Sequence, residues 1–189
     1  MESCRHLKHW RSEDLFAMQL KENVTPEDHT QGTEGAKVTL VEYGDYECPY
    51  CGAAYPVVKR LQKRFGESLR FVFRNFPLAE AHPMAEASAE AAEYAATKGK
   101  FWQIHDGIYE HQTQLSAELL GTLATQNGLD PKAMAEAIKQ HTFQGRVKKD
   151  FMSGVRSGVN GTPAFFINGI LLDGEAGFET LAAAIEAVR

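Results

Sequence analysis

Residues 38–51, VTLVEYGDYECPYC, hold a strand, a sharp turn and the opening of a helix in one short run. Val38-Thr39-Leu40-Val41-Glu42-Tyr43 is β-rich and mostly apolar, as a buried strand should be. Gly44 to Cys51 reads as a turn, with Pro49 suited by its fixed φ and missing N–H to the first position of a helix. Downstream, Ala54, Val57, Val58, Leu61 and Phe65 recur at helical spacing and Gly66 supplies a stop. Pro56 inside that helix predicts a kink. Leu69-Arg70-Phe71-Val72-Phe73 then alternates into a second strand, so the unit is β-α-β with parallel strands and a right-handed crossover.

Further out, the text from His82 to about Gly158 is helical throughout. Met84–Lys98 is rich in Ala and Glu and ends at Gly99; Phe101–His111 follows directly. Ser116 caps a helix carrying Leu119, Leu120 and Leu123, and Asp130-Pro131 is a cap and first-position pair for one carrying Met134 and Ile138. A last helix of the block carries Val147, Phe151 and Val155. Ala164-Phe165-Phe166-Ile167 and Ile170-Leu171-Leu172 flank Asn168-Gly169, a strong hairpin signal. Phe178, Leu181, Ala182 and Ile185 mark a final amphipathic helix. The expected architecture is α/β: a core of residues 36–80 and 160–189, with a helical block at 81–159 inserted between its β-α-β and β-β-α halves. Residues 1–35 are expected as an arm, with one short helix around Asp14–Lys21.

Cys48 and Cys51 carry the chemistry. Cys48 opens a helix, where unpaired N–H groups and the positive dipole end favour a thiolate. At a solvent-reachable position that makes it the attacking sulfur, and Cys51, nearly one turn later, resolves the mixed disulfide. Glu42 sits inside an apolar strand, where a charge is costly without a task. Beneath the cysteines it would take the proton of Cys51, its own pKa raised by burial; an edge-facing or salt-bridged glutamate is the plainer alternative. Thr162-Pro163, after a Gly-containing turn and before a strand, is a candidate cis peptide. Its backbone would pair with an extended substrate segment beside Cys48.

Composition narrows the classes further. A net charge of −5 with scattered basic residues has no nucleic-acid footprint, and no apolar run approaches a membrane span. The N-terminal residues lack the apolar stretch of a secretory leader, which gives a cytoplasmic expectation, periplasmic if the start is misassigned. Three cysteines make no disulfide scaffold, and Cys4 is left over. A zinc half-site is the alternative for the pair. It would need ligands such as Cys4, His6 and His9, since no second C-x-x-C exists. No Gly-rich phosphate loop implies a nucleotide cofactor.

Taken together, VTLVEYGDYECPYC, FVFRNFPL with its helical block, and GVNGTPAFFING resemble the thioredoxin-like family, and more closely its DsbA-like branch, over residues 36–189. The resemblance implies a thioredoxin fold and disulfide exchange with cysteine-containing proteins or peptides, aided by a redox partner it does not identify. It makes Cys48 the nucleophile, Cys51 the resolving thiol, Glu42 the buried acid and Thr162-Pro163 the cis-proline loop. Pro49, Tyr50, Thr162 and Pro163 would line the substrate groove, with Tyr46 beside them. The Pro49-Tyr50 dipeptide departs from the Pro-His of the best-known periplasmic oxidants. Exchange in either direction stays open, as do two other readings: a non-catalytic redox-sensing or peptide-binding module, and a metal-binding protein. The helix face of Phe101, Trp102, His105 and Tyr109 reads as core or groove lining rather than catalysis.

Overall fold

The strand β2 (Val38–Gly44) lies at the centre of a five-stranded sheet because it is apolar enough to be covered on both faces. The computed structural model describes residues 18–189. After β2 the chain enters α1 (Pro49–Phe65) and returns in β3 (Leu69–Asn75), parallel to β2 with Leu40 opposite Phe71 and Glu42 opposite Phe73. On the other side β4 (Ala164–Ile167) runs antiparallel, with Glu42 opposite Phe165. Asn168 and Gly169, at φ 47° and 83°, turn the chain into β5 (Ile170–Leu171) through the left-handed pair that a two-residue hairpin requires.

Side-chain alternation sorts the sheet into two faces. Val38 and Leu40, Phe71 and Phe73, and Phe165 and Ile167 point to one side with Ala54, Val58 and Leu61 of α1 and with α7 (Phe178–Val188). Val41, Tyr43, Val72 and Phe166 point to the other, against Phe76 and Val159. The inserted block is α2 (Ala85–Ala96), α3 (Phe101–Glu110), α4 (Ala117–Gln126), α5 (Pro131–Lys139) and α6 (Gln144–Arg156). Its expected caps form: the Ser116 side chain accepts from Leu119 N–H at 3.2 Å, and Asp130 accepts from Lys132 and Ala133 N–H. Pro56 sits on the exposed side of α1, and the helix runs unbroken through it. Among the described residues no helix is long and apolar enough to cross a membrane.

The N-terminal reading needs correction. Residues 18–35 are fastened to the sheet rather than standing off as an arm. The strand β1 (His29–Gln31) pairs antiparallel with β3, giving the order β1-β3-β2-β4-β5. Arg74, only 3% exposed, spends every guanidinium donor on this segment and on Tyr43. It makes a bidentate pair with Asp28 at 2.7 and 3.1 Å, and donates to the carbonyls of Glu22 and Asn23 and to the Tyr43 hydroxyl. Residues 18–21 are not helical, and Gln19 bridges to Ile170 at the far edge of the sheet. The rest of the expected helix at 14–21, together with Cys4, His6 and His9, lies outside the described residues.

Candidate active site

The alternation that places Leu40 beneath α1 also places Glu42 there, on the face that Cys48 and Cys51 share. Glu42 is 3% exposed and flanked in register by Phe73 and Phe165, so it is neither at an edge nor open to water. Burial pushes its carboxyl up to about 8, and charge on Cys48 adds to the push.

The turn between β2 and α1 is organised by Asp45. Its carboxylate accepts the N–H of Glu47 at 2.8 Å and its carbonyl accepts the N–H of Cys48 at 3.2 Å. Its own N–H donates to the Cys51 sulfur at 3.4 Å. Gln112, just beyond α3, braces the same turn by donating at 2.9 Å to the carbonyls of both Tyr46 and Cys48. A side chain at Gly52 would strike that glutamine, its Cβ falling 2.1 Å from the amide oxygen.

Cys48 occupies the N-cap position of α1 with Pro49 next, so the first free N–H groups of the helix face its sulfur. The Cys51 thiol donates to it, the Cys51 and Tyr50 backbone assists, and together they outweigh burial and hold Cys48 down at about 5. Cys51 is fully buried. Burial, its hydrogen bond to Cys48 and the nearby Glu42 all hold its thiol far above the ordinary range. Both are free thiols. The arrangement is one thiolate with a protonated partner behind it and a carboxyl of raised pKa below.

The Thr162–Pro163 bond is cis, and the Thr162 carbonyl lies 3.4 Å from the Cys48 sulfur, which donates to it as a thiol. The Thr162 hydroxyl is buried without a hydrogen-bond partner. Tyr50 stands 75% exposed beside the pair, whereas Cys48 is only 3% exposed, less than a solvent-reachable sulfur implies, because the loop carrying Thr162 closes over it. Tyr46 does not line the surface. It is buried, packed on Phe73 and Tyr109, with its hydroxyl 3.1 Å from His105 Nδ1. His105 itself is buried and kept neutral, its pKa far below the ordinary value through burial. Asp45 and Gln112 were not singled out by sequence. An Asx turn just before the first cysteine was a local signal for Asp45; nothing local marks Gln112.

A cavity of about 670 Å³ opens nearby between Pro77–Ala81, α2 and α6, walled by Leu78, Val147, Phe151 and Met152. Tyr50, Thr162 and Pro163 do not line it.

The sequence matches the family described as Thioredoxin over residues 24–187. In structure it is similar to BdbD from Bacillus subtilis, with a TM-score of 0.77 and 26% identity over 85% of this chain and 91% of that one. It also shares the fold of alpha-DsbA1 from Wolbachia pipientis, with a TM-score of 0.76 and 17% identity over 87% of this chain and 92% of that one. Among curated proteins it is 42% identical over 158 residues to Na(+)/H(+) antiporter NhaA 3 of Salinispora tropica, covering 84% of this chain. It spans only 24% of the length of that relative.

Proposed function

The chain belongs to the thioredoxin family and has the DsbA-like form of its fold, and from that premise we propose that it exchanges disulfides with cysteines of proteins or peptides, as a disulfide donor. The observation that carries this is the Cys48 thiolate, held at about 5 beside a protonated, buried Cys51. A thiolate stabilised only in the dithiol form favours reduction of the pair, which makes the disulfide form oxidising. With an unfolded thiol near 8.5, ionisation at about 5 favours the reduced protein at pH 7 by roughly 3 kcal/mol, or about 60 mV.

In the donor direction a substrate thiolate attacks the Cys48 sulfur of the disulfide, and Cys51 leaves and is protonated. A second substrate thiolate then attacks the substrate sulfur, forming the substrate disulfide and releasing Cys48 as the thiolate. In the reverse direction Cys51 must lose its proton to attack, and Glu42 is the acceptor. Cys48 is uncharged within a mixed disulfide, which removes the lesser of the two causes raising Glu42 and shifts it toward the carboxylate when the resolving step needs it, while burial still holds its pKa up. Pro49, Tyr50, Thr162 and Pro163 would form the contact surface, the extended substrate lying along the Thr162 backbone. This chemistry needs no metal or organic cofactor. A donor acts in an oxidising compartment, and a reductase would fit the cytoplasmic expectation.

The test is oxidative refolding of a reduced disulfide protein in glutathione buffer. The oxidised chain should accelerate it, Cys48→Ser should abolish the effect, and Cys51→Ser should accumulate a mixed disulfide through Cys48. No acceleration and no trapped adduct would leave the non-catalytic reading.

A second reading rests on the antiporter relative, a quarter of whose length this chain matches. In it the chain is the thiol–disulfide unit of, or for, a membrane cation/proton antiporter. Redox-dependent transport by such an antiporter, lost with Cys48→Ser, would favour it.

A further inference from the structure

The loop between β3 and α2 lies across the active-site turn and is stitched to it at three points. Leu78 N–H and His82 Nδ1 both reach Asp45 Oδ2, at 2.8 and 2.7 Å, and Met84 N–H donates to Glu47 Oε2 at 2.5 Å. The Asp45 side chain is wholly buried, and a buried carboxylate needs a cation or several donors to remain charged. His82 is partly buried at 20%, so it meets both Asp45 and water. Its backbone is fixed as well: its N–H donates to the Leu78 carbonyl and its carbonyl accepts from Ala85 N–H.

The ionisable groups facing His82 from the turn are Asp45, Glu47 and Cys48, and Glu80 and Glu86 flank it on its own loop and on α2. All of them are acids, so its surroundings favour imidazolium. The Pro49-Tyr50 dipeptide between the cysteines brings no basic group. Asp45, the residue that holds His82, also touches both cysteines, through its carbonyl to Cys48 N–H and its N–H to the Cys51 sulfur.

We propose that His82 is a positioning residue for disulfide exchange: its imidazolium, anchored on Asp45, is the cation that balances the Cys48 thiolate, and reduction of the disulfide draws proton onto it. The proposal rests on the thiol–disulfide reading above. The Asp45 hydrogen bond is the main cause that lifts His82 above its ordinary pKa, and charge on Cys48 adds to it. Coulomb attraction is mutual, so the imidazolium stabilises the thiolate to the same degree. In the overall step two substrate thiols become a substrate disulfide and two electrons pass to the Cys48–Cys51 pair. One of the two substrate protons goes to Cys51. The other is left over because Cys48 stays ionised, and His82 takes up part of it near its own titration range, where disulfide-form His82 is less fully protonated. The potential therefore falls more steeply with pH through that range than the thiols alone dictate.

His82→Asn tests this, because the amide can keep the hydrogen bond to Asp45 while removing the charge. In the full chain, thiolate absorbance is followed against pH and the reduction potential is measured against glutathione from pH 5.5 to 8.5. Urea unfolding of both redox forms is measured alongside. The expected result is that the acid dissociation constant of Cys48 and the equilibrium constant for reduction each fall by about threefold to tenfold, tenfold being about 30 mV. The extra pH dependence disappears, and the reduced form loses more stability than the oxidised form. Titrations and potentials that overlay wild type, with both redox forms weakened equally, would overturn the proposal alone. A wild-type chain with no reversible couple would overturn the oxidoreductase reading beneath it.

Discussion

Burial of Glu42 makes the stability of the fold depend on pH. In the unfolded chain its carboxyl titrates near 4.5, and in the folded protein near 8, so between those values the folded state binds the extra proton. Stability from this group is full below pH 4.5 and is lost as pH rises toward 8. Glu42→Gln, which keeps the shape without the charge, should therefore stabilise the reduced protein by on the order of a few kcal/mol at pH 8 and hardly at all at pH 4. Urea unfolding at the two pH values measures this; equal effects at both would show that Glu42 is not buried as described. The same variant should slow resolution of a mixed disulfide by about a hundredfold, read from the decay of a trapped adduct. The special place of Glu42 was readable because a lone acid in VTLVEY violates its own pattern, and period-two alternation gives the buried face on which it lies. Asp45 carried no such contradiction. An aspartate in a turn is ordinary, and its tie to His82 crosses 37 residues that no local pattern connects.

At the level of elements, the start of α1 is held from outside by Gln112, and Gly52 leaves room for it. Gly52→Ala should displace the glutamine end and cost about 1–2 kcal/mol, the worth of two backbone-directed hydrogen bonds. Alkylation of the Cys48 thiol should quicken as the turn loosens. Urea midpoints and alkylation rates check the pair of effects; unchanged values would mean that the brace is dispensable. The strands β2, β3 and β4, the hairpin at Asn168-Gly169 and the caps at Ser116 and Asp130 were legible because each signal lies within a few residues of sequence. The strand β1 was not. His29-Thr30-Gln31 has no apolar alternation, and it is a strand only because the edge of β3 offers hydrogen bonds and Arg74 ties down the chain before it.

For the whole molecule, the Arg74–Asp28 pair decides whether residues 18–35 stay docked on the sheet. Asp28→Ala would leave Arg74 charged and buried with two donors unmatched, and should destabilise the protein by about 3–5 kcal/mol. Burial raises the Asp28 carboxyl, but the Arg74 hydrogen bonds and charge outweigh it and hold the pKa below the ordinary value. Its contribution is therefore present above about pH 4 and is lost as pH falls through the lowered folded value. Acid unfolding should begin at higher pH in the variant than in wild type, and coincident acid transitions would remove this pair from the account. The central claim concerns the molecule as a reagent: the fold stores its disulfide as an oxidant because Cys48 is a stabilised thiolate once reduced. Measuring the reduction potential of the Cys48–Cys51 pair against a glutathione series, on a Cys4→Ser background, tests it most directly. The account predicts a potential of about −180 mV or higher, whereas a value near about −270 mV, where thioredoxin lies, would contradict it.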